Sequence, residues 1–114
     1  MLQYDGFTLE FDVNSYEDVY KYDMAAEAFA LKTPQILDSA SPHDFYGELI
    51  KAYDRFIDDI FGEGTAKKIF ADNQTEKSRV EFVKSLKAHI IQGMKDSAQR
   101  MTEDLKLMER FAPS

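Results

Sequence analysis

The stretch that organises this chain runs from Ser41 to Phe70 and reads SPHDFYGELIKAYDRFIDDIFGEGTAKKIF. Its first residue stands where a helix N-cap is expected, Pro42 suits the first helical position, and Asp44 gives an acidic variant of the capping box. Gly62 indicates where the helix stops, because glycine reaches the left-handed backbone conformation without steric penalty. The sequence therefore predicts a central helix over residues 41–61.

Two apolar stripes run along this central helix. One consists of Phe45, Leu49, Ala52, Phe56 and Ile60, and the other of Tyr46, Ile50, Tyr53, Ile57 and Phe61. Apolar residues that recur at three- and four-residue steps share one face of a helix, so two stripes require packing partners on two sides. The central helix is therefore predicted to be the buried middle of the fold. After Gly62, a short helix over residues 65–71 is predicted to fold Ile69 and Phe70 onto the core.

The remaining elements follow from turn and capping signals. Residues 1–13 alternate polar and apolar side chains around Asp5-Gly6, which predicts a β-hairpin. A second helix is predicted over residues 15–32, because Pro34 disfavours helical geometry in the residue before it. A long helix is predicted over residues 75–111. The expected fold is mainly α in a single domain over 1–114: a bundle of three main helices plus one short helix, with a small N-terminal hairpin.

The predicted last helix is too long for the rest of a 114-residue chain to cover. At ~1.5 Å per residue it spans roughly 55 Å, so its second half should project, bend back near Gly93 or pack against another chain. Three methionines spaced seven apart give a soft stripe of the kind found on adaptable binding surfaces, although the same spacing is also typical of ordinary core. We predict that the partner-binding residues are Ile90, Met94, Met101, Leu105 and Met108.

Composition excludes several classes of chemistry. The chain contains no cysteine, which excludes disulfides, thiol catalysis and cysteine zinc sites. Its formal charge is −7, so nucleic acid and anionic membrane surfaces would be repelled. The charge is concentrated in residues 1–62, which carry thirteen acidic and four basic side chains. No apolar run reaches the ~20 residues of a membrane span and no secretory signal is evident, so a cytoplasmic protein is expected.

No catalytic or metal-binding pattern emerges from the polar residues. Asp54, Asp58 and Asp59 lie within two helical turns, and Asp54 and Asp58 share a face, as carboxylate ligands would. The three lack a fourth ligand at useful spacing, so a solvated face is the simpler interpretation. Neither His43 nor His89 has the paired spacing of a zinc helix. Residues 62–68 resemble a phosphate loop only superficially, since Glu63 would oppose phosphate. We therefore predict no enzymatic activity, no cofactor and no metal.

The segment IDDIFGEGTAKKIF, residues 57–70, resembles the small tail-assembly chaperones of siphophages and prophages in Gram-positive bacteria. The resemblance is carried by residues 53–70, and by the order and length of the other helices. It implies a non-enzymatic protein of the host cytoplasm that holds the tape-measure protein soluble while the tail assembles. An exposed methionine-bearing helix and a net charge that favours solubility would suit such a role.

Two other functions remain open from the sequence. The first is a structural, self-assembling virion protein, in which the long helix and the hairpin edge join identical subunits. The second is a small acidic regulatory adaptor that binds a basic protein partner through residues 1–62.

Overall fold

The computed structural model of the chain describes residues 1–111. Over this range the chain forms a two-stranded antiparallel sheet followed by four helices, and the last helix is long, so the predicted mainly α fold is confirmed. The elements are β1 (Leu2–Tyr4), β2 (Phe7–Leu9), α1 (Tyr16–Leu37), α2 (Pro42–Phe61), α3 (Thr65–Phe70) and α4 (Glu76–Phe111).

The hairpin turns at the two residues that predicted it. Asp5 and Gly6 both have positive φ, at 47° and 82°, as a tight two-residue turn requires, and Tyr4 pairs with Phe7 across it. The strands are shorter than the alternating pattern suggested, since β2 ends at Leu9. The reason is burial: Phe11 is 2% exposed and packs between α2 and α4 instead of continuing the strand.

Helix α2 occupies the centre of the fold. The Ser41 side chain accepts a hydrogen bond from the Asp44 amide at 3.1 Å, and Gly62, with φ at 112°, ends the helix. The second half of α2 is buried on both stripes, including Ile57 at 0% exposure, whereas Tyr46 near its start is 50% exposed. The predicted two-sided burial therefore applies to the second half of the helix, where α1, α3 and α4 all contact it.

Helix α1 continues through Pro34 to Leu37, so the predicted end near Lys32 is wrong. A proline inside a helix costs about 3 kcal/mol, because it lacks the amide hydrogen and crowds the preceding turn. Burying a side chain such as Ile36, which is 5% exposed, returns about 1.5–3 kcal/mol. The last turn is also closed by a hydrogen bond from the Asp38 amide to the Pro34 carbonyl. Packing against α2 therefore offsets the local preference.

Helix α4 sets the overall shape. Its first half supplies Phe82, Leu86 and Ile90 to the core, and the helix then continues without interruption through Gly93. The molecule measures 69 × 32 × 20 Å and its radius of gyration is 18.5 Å, against roughly 13 Å for a compact domain of this length. Of the arrangements considered for the end of this helix, the described chain projects and does not bend back.

Gly93 is the point where the segment before α1 packs on α4. A methyl group built on Gly93 would lie only 2.8 Å from Cβ of Val13, too close for ordinary contact. We expect Gly93→Ala to destabilise the fold by about 1 kcal/mol, because an overpacking cost of about 1–3 kcal/mol exceeds the gain in helix propensity of about 1 kcal/mol. Chemical denaturation followed by circular dichroism measures this change.

The Val13→Ala background provides the control for this prediction. Alanine at position 13 removes the two γ carbons that crowd the added methyl group but keeps the Cβ 2.8 Å from it, so the loss caused by Gly93→Ala should be smaller in this background without disappearing. An equal loss of stability in both backgrounds would show that Val13 is not the cause.

Candidate protein-binding surface

The end of α4 carries an exposed apolar stripe. We call residues 91–110 the arm and residues 1–90 the body; from Ala98 to Arg110 every residue of the arm is exposed. The arm stripe comprises Ile91, Met94, Ala98, Met101, Leu105 and Met108, which recur at alternating three- and four-residue steps and so share one face. Its five large side chains are 50–66% exposed. Large apolar side chains grouped in this way mark interaction surfaces more often than scattered ones do.

Four of the five residues predicted to bind a partner lie on this stripe. Met94, Met101, Leu105 and Met108 are exposed and are aligned along the arm. Ile90 is different: it is 9% exposed and belongs to the core, so its side chain is not available to a partner. It faces the body because it follows Phe82 and Leu86 on the inward side of α4. Ile91, one residue later and 52% exposed, takes its place on the stripe.

The base of the arm is held by the segment that precedes α1. Asn14 Oδ1 accepts hydrogen bonds from the Ser97 hydroxyl at 3.2 Å and from Arg100 Nη2 at 3.3 Å. Val13 covers Gly93 on the same side of the helix. These contacts use a face of α4 beside the arm stripe, not the stripe itself, so the stripe stays open even where the arm runs alongside the body.

Charge differs sharply between the arm and the body. The arm carries four basic and four acidic side chains and is therefore neutral, whereas residues 1–62 carry a net charge of −9. A neutral arm can approach another helix without long-range repulsion, and a net negative charge on the body favours solubility. In the described part of the chain, no helix combines the length and the apolar character that crossing a membrane requires.

Comparison with known proteins gives a family but no function. Residues 5–114 match a family described as a family of unknown function, DUF6673. The chain belongs to DUF6673. No curated protein and no solved structure matches it significantly. The function of this DUF6673 member is therefore inferred from the surfaces of the chain itself.

A buried arginine links the start of α4 to α2 and α3. Arg79 is 1% exposed, and its guanidinium donates to both Asp54 oxygens, with Nε–Oδ1 at 2.9 Å and Nη2–Oδ2 at 3.2 Å. It also donates to the carbonyl oxygens of Asn73 and Thr75, and lies 4.2 Å above the centre of the Phe70 ring. One side chain thus joins α2, α3 and the start of α4. Such bidentate pairs are geometrically specific.

The acidic residues considered as metal ligands have structural partners. Asp54 binds Arg79, and Asp58 accepts a hydrogen bond from the Ala66 amide at 2.9 Å, which caps the start of α3. The His43 side chain is fully exposed, and the His89 ring stands edge-on to Phe11. Across residues 1–111, no three His, Asp or Glu side chains come close enough together to hold a metal ion.

Three partly buried tyrosines have hydroxyl groups with a raised pKa. Burial raises the pKa of Tyr4, Tyr22 and Tyr53. Nearby carboxylates add to the effect: Glu81 for Tyr4, and Glu76 for Tyr53. A tyrosine with a raised pKa remains neutral at physiological pH, so none of these three hydroxyls is activated as a base.

Helix α1 carries a second exposed apolar surface that sequence reasoning missed. Its members lie on the side away from the core and are 47–82% exposed: Tyr16, Tyr20, Met24 and Leu31. The Tyr16 and Tyr20 rings stack with centroids 6.3 Å apart. Beside this stripe stand Glu17, Asp23 and Glu27. These four residues recur at steps of four and seven, which places them on one face of the helix. The sequence pattern was instead attributed to the core-facing apolar residues, which include Phe29.

A cleft of about 400 Å³ separates α1 from α2. Its floor is apolar and includes Ala25, Ile36 and Phe56, and small residues on both helices leave the space open. Its rim carries Lys51 and Arg55, which pair with Glu48 and Asp59 at 3.5 and 3.0 Å. The rim is therefore largely self-neutralised, which gives little preference for a charged ligand.

Proposed function

We propose that this protein is a non-enzymatic binding protein whose arm holds an apolar helical segment of another protein. In its specific form, the proposal is a tail-assembly chaperone of a phage or prophage, acting in the bacterial cytoplasm. Its client is the tape-measure protein, which it keeps soluble during tail morphogenesis. The observation that carries the proposal is the arm stripe, five large apolar side chains at least half exposed along one face of a projecting helix.

The chemistry of the stripe suits a client of variable sequence. Methionine is unbranched and polarisable, so Met94, Met101 and Met108 can adapt to different apolar surfaces. An exposed amphipathic helix presents its anchors at i, i+3, i+4 and i+7, the pattern by which helices recognise apolar grooves and other helices. The acidic body supplies charge that opposes aggregation of a loaded complex.

The expected affinity of one arm is modest. Burying the exposed half of each large stripe side chain contributes roughly 1 kcal/mol, or roughly 5 kcal/mol for all five. Association itself costs about 4–15 kcal/mol, so a single arm binds weakly and releases readily. A long client helix offers room for several copies, which together keep it covered while each remains exchangeable. Weak, repeated contacts are what a temporary holder needs.

Charge on the stripe should abolish client binding. We expect Met101→Glu combined with Leu105→Glu to reduce co-purification with the tape-measure protein encoded in the same phage region to background, because each carboxylate would have to be desolvated against the client. The matched control is Gln92→Glu with Gln99→Glu, which adds the same charge on the opposite face of the arm and should leave binding within about twofold, since exposed substitutions change energies by under about 0.5 kcal/mol.

Folding and binding are separated by circular dichroism of both double variants. All four residues are exposed, although Gln92 and Gln99 lose hydrogen bonds to Asp96 and Glu103 and each double variant gains like charges four residues apart. Both proteins should therefore retain their helical content and lose no more than about 1 kcal/mol of stability. If the stripe variant still holds the client, or if the control variant loses it equally, the arm stripe is not the binding surface.

The acidic adaptor is a second candidate, favoured by the exposed stripe on α1. Tyr16, Tyr20, Met24 and Leu31 lie beside three carboxylates, which would complement an amphipathic helix with basic flanks. Under this alternative, Tyr20→Glu with Met24→Glu would abolish partner binding, and the arm variants would not.

A further inference from the structure

The arm stripe has the period of a coiled-coil seam. Ile91, Met94, Ala98, Met101, Leu105 and Met108 follow steps of three, four, three, four and three, the alternation that defines a heptad repeat. In heptad terms Ile91, Ala98 and Leu105 are a positions, and the three methionines are d positions. An a/d repeat of this kind presents its apolar side chains along one line, where a second helix can pack alongside them.

The geometry points to a second copy of this chain as the helix that covers the stripe when no client is bound, with the two arms antiparallel. The outer half of the arm extends beyond the body, the stripe stays open along the inner half, and the arm is neutral overall, so two arms can lie side by side without steric or charge conflict. This pairing goes beyond the client-binding role, because it describes the state of the free protein.

Charge favours an antiparallel over a parallel arrangement of the two arms. A parallel pair would place the two acidic bodies, each with −9 in residues 1–62, next to one another. It would also set Asp104, a g position, against Glu109 of the second copy, an e position, twice per dimer. An antiparallel pair puts the bodies at opposite ends of arms about 30 Å long. That separation exceeds the Debye length of about 8 Å at physiological salt, so the repulsion is screened.

The full overlap of two antiparallel arms defines one register. Ile91 of one copy lies beside Met108 of the second, Met94 beside Leu105, and Ala98 beside Met101, so a long flexible side chain fills the space above a small one. The apolar repeat is broken on the body side by Lys87, an exposed residue in the next d position. In this register Lys87 comes close to Glu109 of the second copy, and this opposite-charge pair forms twice.

The seam is short, with less than three heptads and alanine at one a position, so the dimer should be weak and concentration-dependent. A weak dimer suits the proposed client-binding function, because a client helix must be able to displace the second copy. Free protein and loaded protein would then use the same apolar surface in turn, and neither state leaves it open to aggregation.

Cysteine crosslinking tests the relative direction of the two arms. The sequence contains no cysteine, so each introduced cysteine is the single reactive thiol of its variant. Ile91→Cys and Met108→Cys are prepared as separate proteins and treated, alone and mixed, with a short bis-maleimide. The antiparallel dimer predicts crosslinked dimer in the mixture at several times the yield of either variant alone, because identical positions would be about 26 Å apart. Gln99→Cys, on the opposite face, should give no crosslink with either variant.

Each outcome decides the matter. Equal crosslinking of each variant with itself would show a parallel pair and overturn the proposal. Absence of crosslinking, together with a monomeric mass for the unmodified chain at every concentration in sedimentation velocity, would also overturn it. Circular dichroism confirms that both variants remain helical. Because the experiment contains no client, its failure leaves the client-binding proposal intact, and a failed client co-purification leaves this one intact.

Discussion

Replacing Phe82 with alanine is expected to lower the free energy of unfolding by about 3–5 kcal/mol, the usual cost of truncating a fully buried phenylalanine. Phe82 is 0% exposed, and its ring stands edge-on to Tyr4, Phe61 and Phe70, with centroids at 5.0, 5.8 and 6.1 Å. One ring therefore joins the hairpin, α2, α3 and α4. Stability of a small domain is only about 5–15 kcal/mol, so this variant should be close to unfolded at physiological temperature.

The matched control is Met101→Ala on the same helix. Met101 is 60% exposed and lies beyond the body, so its truncation should change stability by less than about 0.5 kcal/mol. Urea denaturation followed by circular dichroism gives both values. A similar loss for the two variants would mean that the arm is as firmly packed as the start of α4, and would remove the basis for treating the arm as a free surface.

Removal of the Asp54 carboxylate should produce the second large effect. We expect Asp54→Ala to cost about 3 kcal/mol, because it leaves the buried Arg79 charge without its counter-ion. The carbonyl oxygens of Asn73 and Thr75 still accept from the guanidinium, which holds the cost near the lower end of the range for buried pairs. The measurement is again equilibrium denaturation, with near-ultraviolet circular dichroism to report on aromatic packing.

Asp59→Ala provides the comparison for this pair, because it removes a carboxylate from the same helix. Asp59 pairs with Arg55 at 3.0 Å, but the Arg55 side chain is 80% exposed, so the expected loss is under about 1 kcal/mol. Replacing Arg79 and Asp54 together with apolar residues should recover part of the loss. If Asp54→Ala and Asp59→Ala cost the same, Arg79 does not organise the junction of α2 and α4.

Local signals in the sequence predicted most of the fold. Ser41, Pro42 and Gly62 mark the ends of α2 because caps and stops act within a few residues. Asp5-Gly6 located the hairpin turn for the same reason. The helix end predicted from Pro34 was wrong, because the burial of Ile36 outweighs the local cost of the proline. That burial is a tertiary effect and cannot be read from the neighbouring sequence.

The candidate surface was predicted less well, and for related reasons. Periodicity placed Met94, Met101, Leu105 and Met108 on one face, but it could not tell where the body stops covering that face, so Ile90 was included and Ile91 was omitted. The Arg79–Asp54 pair joins residues 25 apart, and neither residue has a local pattern that announces it. The α1 stripe was not predicted, because the inward-facing apolar residues of α1 already account for its amphipathic pattern.

The most direct test of the proposed function is the mass of the complex formed with the client. Under the proposed function a tape-measure protein is encoded beside this chain; the two proteins are co-expressed, any complex is purified, and its mass is determined by light scattering. We expect a soluble complex that contains several copies of this chain for each client, and the Met101→Glu, Leu105→Glu variant should yield none. If the tape-measure protein precipitates while this chain elutes alone as a fixed oligomer, the chaperone proposal is wrong.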